Sequence, residues 1–490
     1  MPQIAIVGAG IAGLTAALTL QDAGYACAVY EAAHYVGGRM HSERNLWGDG
    51  AVSEWCGEFI DHDHTMLRRL AERFHLSLID LGRGRVGQGT PLLYLQDGVR
   101  GADALGAGFA AVSALVEQQE RAVGYPTTYA RYTDEGHRLD HISVYEWIAR
   151  HVAGGHDSLV GRYLNAACTG FYGLDTREQS ALNLLYLIGS LPSSRSGSGS
   201  GPLHSSARIA GGNQRLPEAI AASLPTGSLH LGHRLTAIER AGDGTLMLTF
   251  ATARGATRVR CDAAILTLPF SVLRQADYSR AGFDERKQAA IEQLGYGTIS
   301  KLCLQFDTPY WFERGPWPAR HSGFIITDLE IQTLWDSGDG RIAAPDDSPD
   351  AASALLVDYT SGQHGAAYAP TSAYSTSADA ADGSILQQEA QRCLRELERV
   401  FPGVSTHYTG RVALSYPTGD PNLLGSYACW RVGQYTAFGG YEGVAQGPIH
   451  FAGEHCSVEF QGYMEGAARE GARAAREIID ALAAGGQTAP

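Results

Sequence analysis

An α/β fold is predicted for this chain: a Rossmann-type domain on a parallel, doubly wound sheet, with an α+β domain beside it. Three observations predict it. A glycine motif, G-x-G-x-x-G at Gly8, Gly10 and Gly13, sits between a strand-like run and a helix-like run. Beyond about residue 80 the texture changes to helical segments and alternating, hairpin-like runs. A chain of 490 residues that is 44% hydrophobic can also bury two cores.

The first element is "QIAIVGAGIAGLTAALTLQDAGYACAVYEAA". Ile4 to Val7 reads as a buried parallel strand, Ile11 to Leu20 as an Ala- and Leu-rich helix, and "ACAVY" as a second strand ending at Glu31. Gly8 lets the chain turn sharply, Gly10 lets backbone approach a pyrophosphate, and Gly13 lets helix pack on strand. Ala12 is counted with them in the cradle. The helix N-terminus supplies N–H groups and positive dipole to phosphates. Glu31 falls about 20 residues on, where a carboxylate accepts hydrogen bonds from an adenosine ribose, and an acid there disfavours NADP. "GRGRVG" at 82 to 87 repeats the motif, but Pro91 and strand-like residues follow it. It reads as a loop or hairpin, so no separate nicotinamide domain is predicted.

Next comes "EAAHYVGGRMHSE", with Gly37, Gly38 and Arg39. Two glycines and a cation suit a second approach to the same pyrophosphate. Helices are expected at 107–122, 141–153, 157–168 and 178–190, followed by the Ser/Gly tract "PSSRSGSGSGP", read as a flexible loop. "LHLGHRLTAIERAGDGTLMLTF" and "RCDAAILTLPFSVL" read as strands and a hairpin turning at Gly-Asp-Gly. "TISKLCLQF" is a further strand; an acidic stretch from 337 to 382 holds one more, "ALLVDYTSG", and a helix is expected at 385–400.

From Glu31 through the G-G-R segment, this chain resembles the flavin-containing amine oxidase family, and the fit covers nearly its whole length. The resemblance implies a discontinuous FAD-binding domain (1–80, 204–290 and 408–490) and a substrate-binding domain (81–203 and 291–407). It implies FAD bound by Gly8, Gly10, Ala12, Gly13, Glu31, Gly38 and Arg39, with Gly57 in "CGEFI" passing near the flavin. Lys301, in the apolar strand, matches the lysine whose amine holds a water against flavin N5. Taken alone, an edge-strand lysine reaching solvent is the plainer reading, because a bare buried ammonium is costly. Tyr427 in "GSYACW" and Tyr463 in "FQGYMEGA" match the two rings that flank the substrate nitrogen. Tyr416 and Trp430 are weaker candidates for the same cage, with packing beneath the site as the alternative for either.

In "IHFAGEHCSVEFQGYMEGAARE", Gly453 turns the chain and Glu454 matches a partner for the FAD ribityl or pyrophosphate region. Met464 and Glu465 open a helix whose N–H groups can face the flavin. Glu465 and Arg469 form an i,i+4 pair. His455 and Cys456 have no ligand-spaced partners, so they read as neither metal site nor nucleophile. Some relatives attach FAD through a cysteine before the first tyrosine; Ser426 stands there, so FAD is expected to be non-covalent. "DHDH" (Asp61 to His64) reads as a helix-entry loop rather than a metal site.

The implied reaction is oxidation of an amine by hydride transfer from its α-carbon to flavin N5. Imine hydrolysis gives an aldehyde or ketone, and O₂ is reduced to H₂O₂. An L-amino-acid oxidase on the same scaffold is the alternative; it needs a cation for the carboxylate, and none is placed by sequence. A carotenoid- or porphyrin-type desaturase, and a flavin-bound interaction protein without turnover, rank lower. No G-x-S-x-G or HExxH supports a hydrolase. Net charge of −14 argues against nucleic acid. No apolar run is long enough to span a bilayer and no signal peptide precedes the first strand, so a cytoplasmic enzyme without membrane contact is expected. Eight scattered cysteines without a CxxC pair read as buried thiols. A homodimer is possible.

Overall fold

The computed structural model describes residues 2–47, 50–81, 91–189, 206–313, 315–318, 321–338, 354–368, 370–379 and 383–486. The second glycine motif, the Ser/Gly tract and residues 339–353 of the acidic stretch lie outside the described residues.

A five-stranded sheet carries the amino-terminal motif. Its order is Ile449–Phe451, Ala263–Leu266, Ile4–Val7, Cys27–Tyr30, Leu229–His230. Every pairing in it is parallel. Ile4–Val7 is central and wholly buried, which is why it reads as an unbroken apolar run rather than an alternating one. Its neighbours run to residue 27 on one side and to residue 263 on the other. The strand order therefore reverses beside the end of Ile4–Val7, where α/β sheets place their ligands.

The helix Ile11–Asp22 follows that strand, and the closing helix Met464–Gly486 packs across it. The crossing is tight. A Cβ on Gly471 would stand 2.0 Å from the Ala12 carbonyl oxygen, so only glycine fits there. Gly471, among the small residues of "GAAREGARAA", thus brings the two helices into backbone contact.

The central hairpin forms from Arg234–Arg240 and Leu246–Thr252, antiparallel, with Gly255–Cys261 added beyond. Its turn closes through the Ala241 amide on the Thr245 carbonyl at 2.8 Å. The expected helices form as Gly106–Val123, Val144–His151, Leu159–Tyr172, Ala181–Ile188 and Gly383–Val400. Asp134–Asp140 is an additional short helix that periodicity over so few residues did not reveal.

An eight-stranded mixed sheet builds the other half. Its order is Tyr374–Thr376, Tyr408–Ser415, Ser300–Phe306, Ala354–Thr360, Thr333–Asp336, Phe324–Thr327, Leu92–Leu95, Gly98–Arg100. Ser300–Phe306 is interior, paired on both sides. Of the two readings of Lys301, the edge-strand lysine reaching solvent is excluded: Lys301 is on a central strand and buried. Tyr408–Ser415 also belongs to this sheet, pairing with Ser300–Phe306, although the sequence division places it with the cofactor domain. All eight cysteines are free thiols, six of them buried. Among the described residues, no helix is long and apolar enough to cross a membrane.

Candidate active site

A cavity of about 810 Å³ opens at the switch point of the parallel sheet. Lys301, Tyr427, Tyr463 and every cofactor-binding residue the resemblance implies line it, with one exception. Gly13 lies behind the wall, where a Cβ would sit 1.9 Å from the Gly8 carbonyl oxygen. Its task is helix-on-strand packing, as its place in the motif implies.

The glycine-rich end has the chemistry of an anion cradle. Gly8 takes φ +108°, a conformation that side chains rarely adopt. Gly10 caps the helix Ile11–Asp22, no side chain caps it, and its first turn has no acid. The leading N–H groups are thus left for a ligand. A Cβ on Gly10 would meet nothing nearer than the Gly37 carbonyl at 3.8 Å, so bare backbone faces the cavity. The G-G-R segment reaches the same place, with the Gly37 amide donating to the Ala9 carbonyl at 2.9 Å. Glu31 accepts from the Ala9 and Ala33 amides, each at 2.7 Å. Burial raises its carboxyl pKa, against those bonds. The Ala32 amide also donates to it, and a further lone-pair direction stays available for a ribose. These donors and acceptors fit an adenine dinucleotide such as FAD.

Glu454 joins three segments at the cavity wall. Its Oε1 accepts from Arg39 Nη1 at 2.8 Å and the Ala428 amide at 3.1 Å; its Oε2 accepts from the Gly462 amide at 2.8 Å. Ala428 follows Tyr427 and Gly462 precedes Tyr463, so one buried carboxylate sets both tyrosine backbones. Arg39 Nη1 also donates to the Ser426 carbonyl at 2.9 Å, which leaves Nε and Nη2 for a phosphate. Burial works against the guanidinium charge, but Glu454 holds Arg39 protonated.

The two tyrosines differ in their surroundings. The Tyr427 hydroxyl donates to the Phe171 carbonyl and accepts from Tyr359 at 3.2 Å. Burial holds its phenol far above the usual range, so it is neutral. Tyr463 packs edge-on against His64, with ring centroids 5.3 Å apart, and against Phe171 at 6.5 Å. Phe59, Tyr163, Phe324, Ile326, Trp335 and Tyr359 continue the wall.

Lys301 donates to the Glu54 carbonyl at 2.8 Å, the Cys56 carbonyl at 3.2 Å and the Glu58 carboxylate at 2.8 Å. An ammonium has three N–H bonds, and three protein acceptors meet them. Glu58 was missed from sequence. Its signal was there: a lone acid in the apolar run "CGEFI" and a lone base in "SKLCLQF", each needing a partner if buried. Gly57, between these groups, donates its amide to the Arg39 carbonyl at 2.9 Å. A Cβ there would come 2.7 Å from Met464 Sδ, so the glycine segment and the closing helix meet at the cavity.

The remaining candidates take structural places. Glu465 accepts from the Met66 and Leu67 amides, both at 2.9 Å, which caps the helix Thr65–Arg73, and pairs with Arg469 at 2.6 Å. Asp61 to His64 form the loop entering that helix. Ligand atoms of Asp61, Asp63 and His64 come within 4.8 Å of one another, with Asp61 also held by the Ser206 hydroxyl. His455 packs on Phe270 at 4.4 Å, and burial pushes its pKa far down while pushing the Cys456 thiol far up. Trp430 lines the cavity, whereas the Tyr416 hydroxyl turns to the Ala366 carbonyl at 3.3 Å.

A family model described as flavin containing amine oxidoreductase matches residues 11–479. Putrescine oxidase of Kocuria rosea is 26% identical, with 98% of this chain and 95% of that protein covered. An L-amino acid dehydrogenase of Synechocystis sp. is 25% identical over 97% of this chain and 94% of that protein. Among solved structures, cyclohexylamine oxidase from Brevibacterium oxydans superposes with TM-score 0.80 at 21% identity, covering 98% of this chain and 99% of that chain. Wild-type putrescine oxidase bound to putrescine gives 0.77 at 21%, with the same coverage. At that identity the likeness is one of fold.

Proposed function

The chain belongs to the flavin-containing amine oxidoreductase family, and from that premise we propose that it oxidises amines carrying an apolar or aromatic substituent. It is an FAD-dependent amine oxidase with O₂ as acceptor. The observation that carries the substrate reading is the composition of the cavity around Tyr427 and Tyr463. Phe59, Phe171, Phe324 and Trp335 line it, and among the described lining residues the only guanidinium, that of Arg39, is already bound to Glu454.

Gly8, Gly10, Ala12, Glu31, Gly38 and Arg39 would hold the FAD diphosphate and adenosine. Gly57, Gly453, Glu454 and Met464 would line the flavin end, while Gly13 packs the helix that carries the cradle. When bound, FAD takes a hydride equivalent from the substrate α-carbon and passes the electrons to O₂, giving H₂O₂. Tyr427 and Tyr463 flank the amine with neutral rings that exclude water. A desolvated ammonium gives up its proton more readily, so these walls favour the neutral amine, the form whose nitrogen lone pair assists α-C–H cleavage. Lys301 keeps a positive charge at the cavity wall. The imine released hydrolyses to an aldehyde or ketone.

FAD is non-covalent in this reading. Ser426 offers no thiol, and the Cys429 sulfur faces Asn183 and the Trp430 carbonyl instead. The domain division also stands as a proposal, with the substrate part extended through Ser415. We further propose a cytoplasmic location, for which eight free thiols are suited, and a homodimer, which light scattering would measure.

A peroxide assay against a panel of alkylamines, arylalkylamines, diamines and L-amino acids tests the reading. Apolar monoamines should give the highest kcat/KM. An L-amino-acid oxidase is the second reading, favoured by similarity to an L-amino-acid oxidase of Siganus canaliculatus, 25% identical over 97% of this chain and 85% of that protein, and preferential turnover of amino acids would establish it instead.

A further inference from the structure

Glu58 has a place in the cavity floor that the proposed mechanism does not yet use. Its carboxylate is almost wholly buried, with a side chain 3% exposed beside a lysine side chain 6% exposed. Each oxygen is assigned. Oε2 accepts from Lys301 Nζ at 2.8 Å. Oε1 accepts from Ser337 Oγ at 2.7 Å, Trp335 Nε1 at 3.0 Å and Arg208 Nη1 at 3.3 Å. Burial favours the neutral acid, but the Lys301 and Arg208 charges reverse this and hold the carboxyl below its ordinary value. The result is a cation–carboxylate–cation array in which Lys301 and Glu58 line the cavity and Arg208 is buried behind Glu58.

The array also joins separate parts of the chain. Lys301 comes from the central strand Ser300–Phe306, Arg208 from the strand Ala207–Ile209, and Trp335 from the strand Thr333–Asp336. Glu58 ties all three to the segment that continues from Gly57. The remaining two Lys301 N–H groups go to the Glu54 and Cys56 carbonyls on that same segment. A lysine so bound has its amine direction set by the protein.

We propose that Glu58 is a positioning residue for the oxidative half-reaction, acting through Lys301. It anchors the Lys301 ammonium in the cavity floor as a fixed positive charge. In that half-reaction two electrons and two protons pass from the reduced cofactor to O₂, which becomes H₂O₂. Negative charge builds on oxygen as the electrons arrive, and a preorganised cation stabilises it without reorganising at that moment. Lys301 supplies the charge, Glu58 supplies its fixed location, and neither gains or loses a proton overall. This inference rests on the oxidase reading above.

The test is a double-mutant cycle on holoenzyme: parent, Glu58→Gln, Lys301→Met, and both together. Each protein is reduced with dithionite, mixed with O₂, and its reoxidation followed by flavin absorbance. The reoxidation rate is thus measured whether or not any amine proves to be a substrate, so failure of the oxidase reading stays separate from failure of this one. Flavin midpoint potential is measured on the same four proteins. Glu58→Gln is expected to slow reoxidation at least tenfold in the parent and less than twofold in the Lys301→Met background. It should also raise the potential, because a negative charge beside the site is lost. Reoxidation within twofold of the parent, equal slowing in both backgrounds, or an unmoved potential overturns the proposal. If Glu58→Gln does not accumulate as yellow protein, Glu58→Asp is carried through the same cycle with the same criteria.

Discussion

Arg39 and Glu454, separated by 415 positions, meet with Nη1 2.8 Å from Oε1, and the same carboxylate takes the amides of Ala428 and Gly462. One contact therefore couples the G-R segment to the backbone beside both tyrosines. Removing the buried carboxylate leaves the partly buried Arg39 charge uncompensated, at about 2 kcal/mol. Glu454→Ala should lower unfolding stability by roughly that amount and shed FAD on gel filtration. A variant that stays fully yellow and equally stable would refute the coupling.

Lys301→Met should leave FAD bound, because the cradle lies elsewhere in the cavity, yet slow reoxidation by O₂ about 100-fold, the usual size of a lost preorganised electrostatic partner. Stopped-flow absorbance after anaerobic reduction measures it. Reoxidation at the parent rate would remove Lys301 from the mechanism.

For Tyr427 the ring and the hydroxyl separate. The hydroxyl bonds to Phe171 and Tyr359 are structural, so Tyr427→Phe should cost about 1 kcal/mol of stability and little turnover. Tyr427→Ala removes the wall that excludes water, and kcat/KM should fall roughly 100-fold, about 2.7 kcal/mol. Equal losses in the two variants would mean the hydroxyl, not the ring, is what matters.

At Gly471 a Cβ would stand 2.0 Å from the Ala12 carbonyl, whereas at Gly242 it would meet nothing within 4 Å. Gly471→Ala should destabilise by about 2 kcal/mol through overpacking, with Gly242→Ala near neutral. Chemical denaturation of the two side by side decides it; indistinguishable midpoints would contradict the helix crossing.

Asp358 is a pH probe away from the cradle. It is 1% exposed. Burial pushes its carboxyl from 3.8 up to about 7, against hydrogen bonding by Thr360, the charge of Arg392 and hydrogen bonding by Tyr368. Between those values the folded state holds the proton and the unfolded state does not. Native protein binds more protons there, so its stability falls as pH rises from about 4 to about 7. Asp358→Asn removes that slope, and the variant should gain on the parent by on the order of 2–4 kcal/mol across the window. Urea midpoints at pH 4.5 and 7.5 report it, and parallel shifts in the two proteins would refute it.

Some of this was legible in the chain because its cause is local. Gly8, Gly10 and Gly13 are required by a turn, an open face and a close helix, each set by neighbours within a few residues. Glu31 follows from the length of one strand–helix–strand unit. The hairpin turning at Gly242 to Gly244 and the helix Gly383–Val400 follow from periodicity alone. Glu454 was found by motif, but its contacts with Ala428 and Gly462 were not, since they depend on how a loop folds back.

Lys301 shows the boundary most clearly. An apolar strand with one lysine could equally be an edge strand reaching water, and the local pattern is the same in both cases. The pairing of Ser300–Phe306 on both sides made it interior, and burial then demanded a counter-charge. Glu58 met that demand from 243 positions away.

The sequence by itself determined the dinucleotide cradle, the two sheet types and the family, because glycine spacing and hydrophobic period are local consequences of backbone sterics. Only the tertiary structure decided which charges face each other across the cavity floor and which carboxylate holds both tyrosine segments. Electrostatic pairing acts through space over a few ångströms, and separation along the chain carries no record of it.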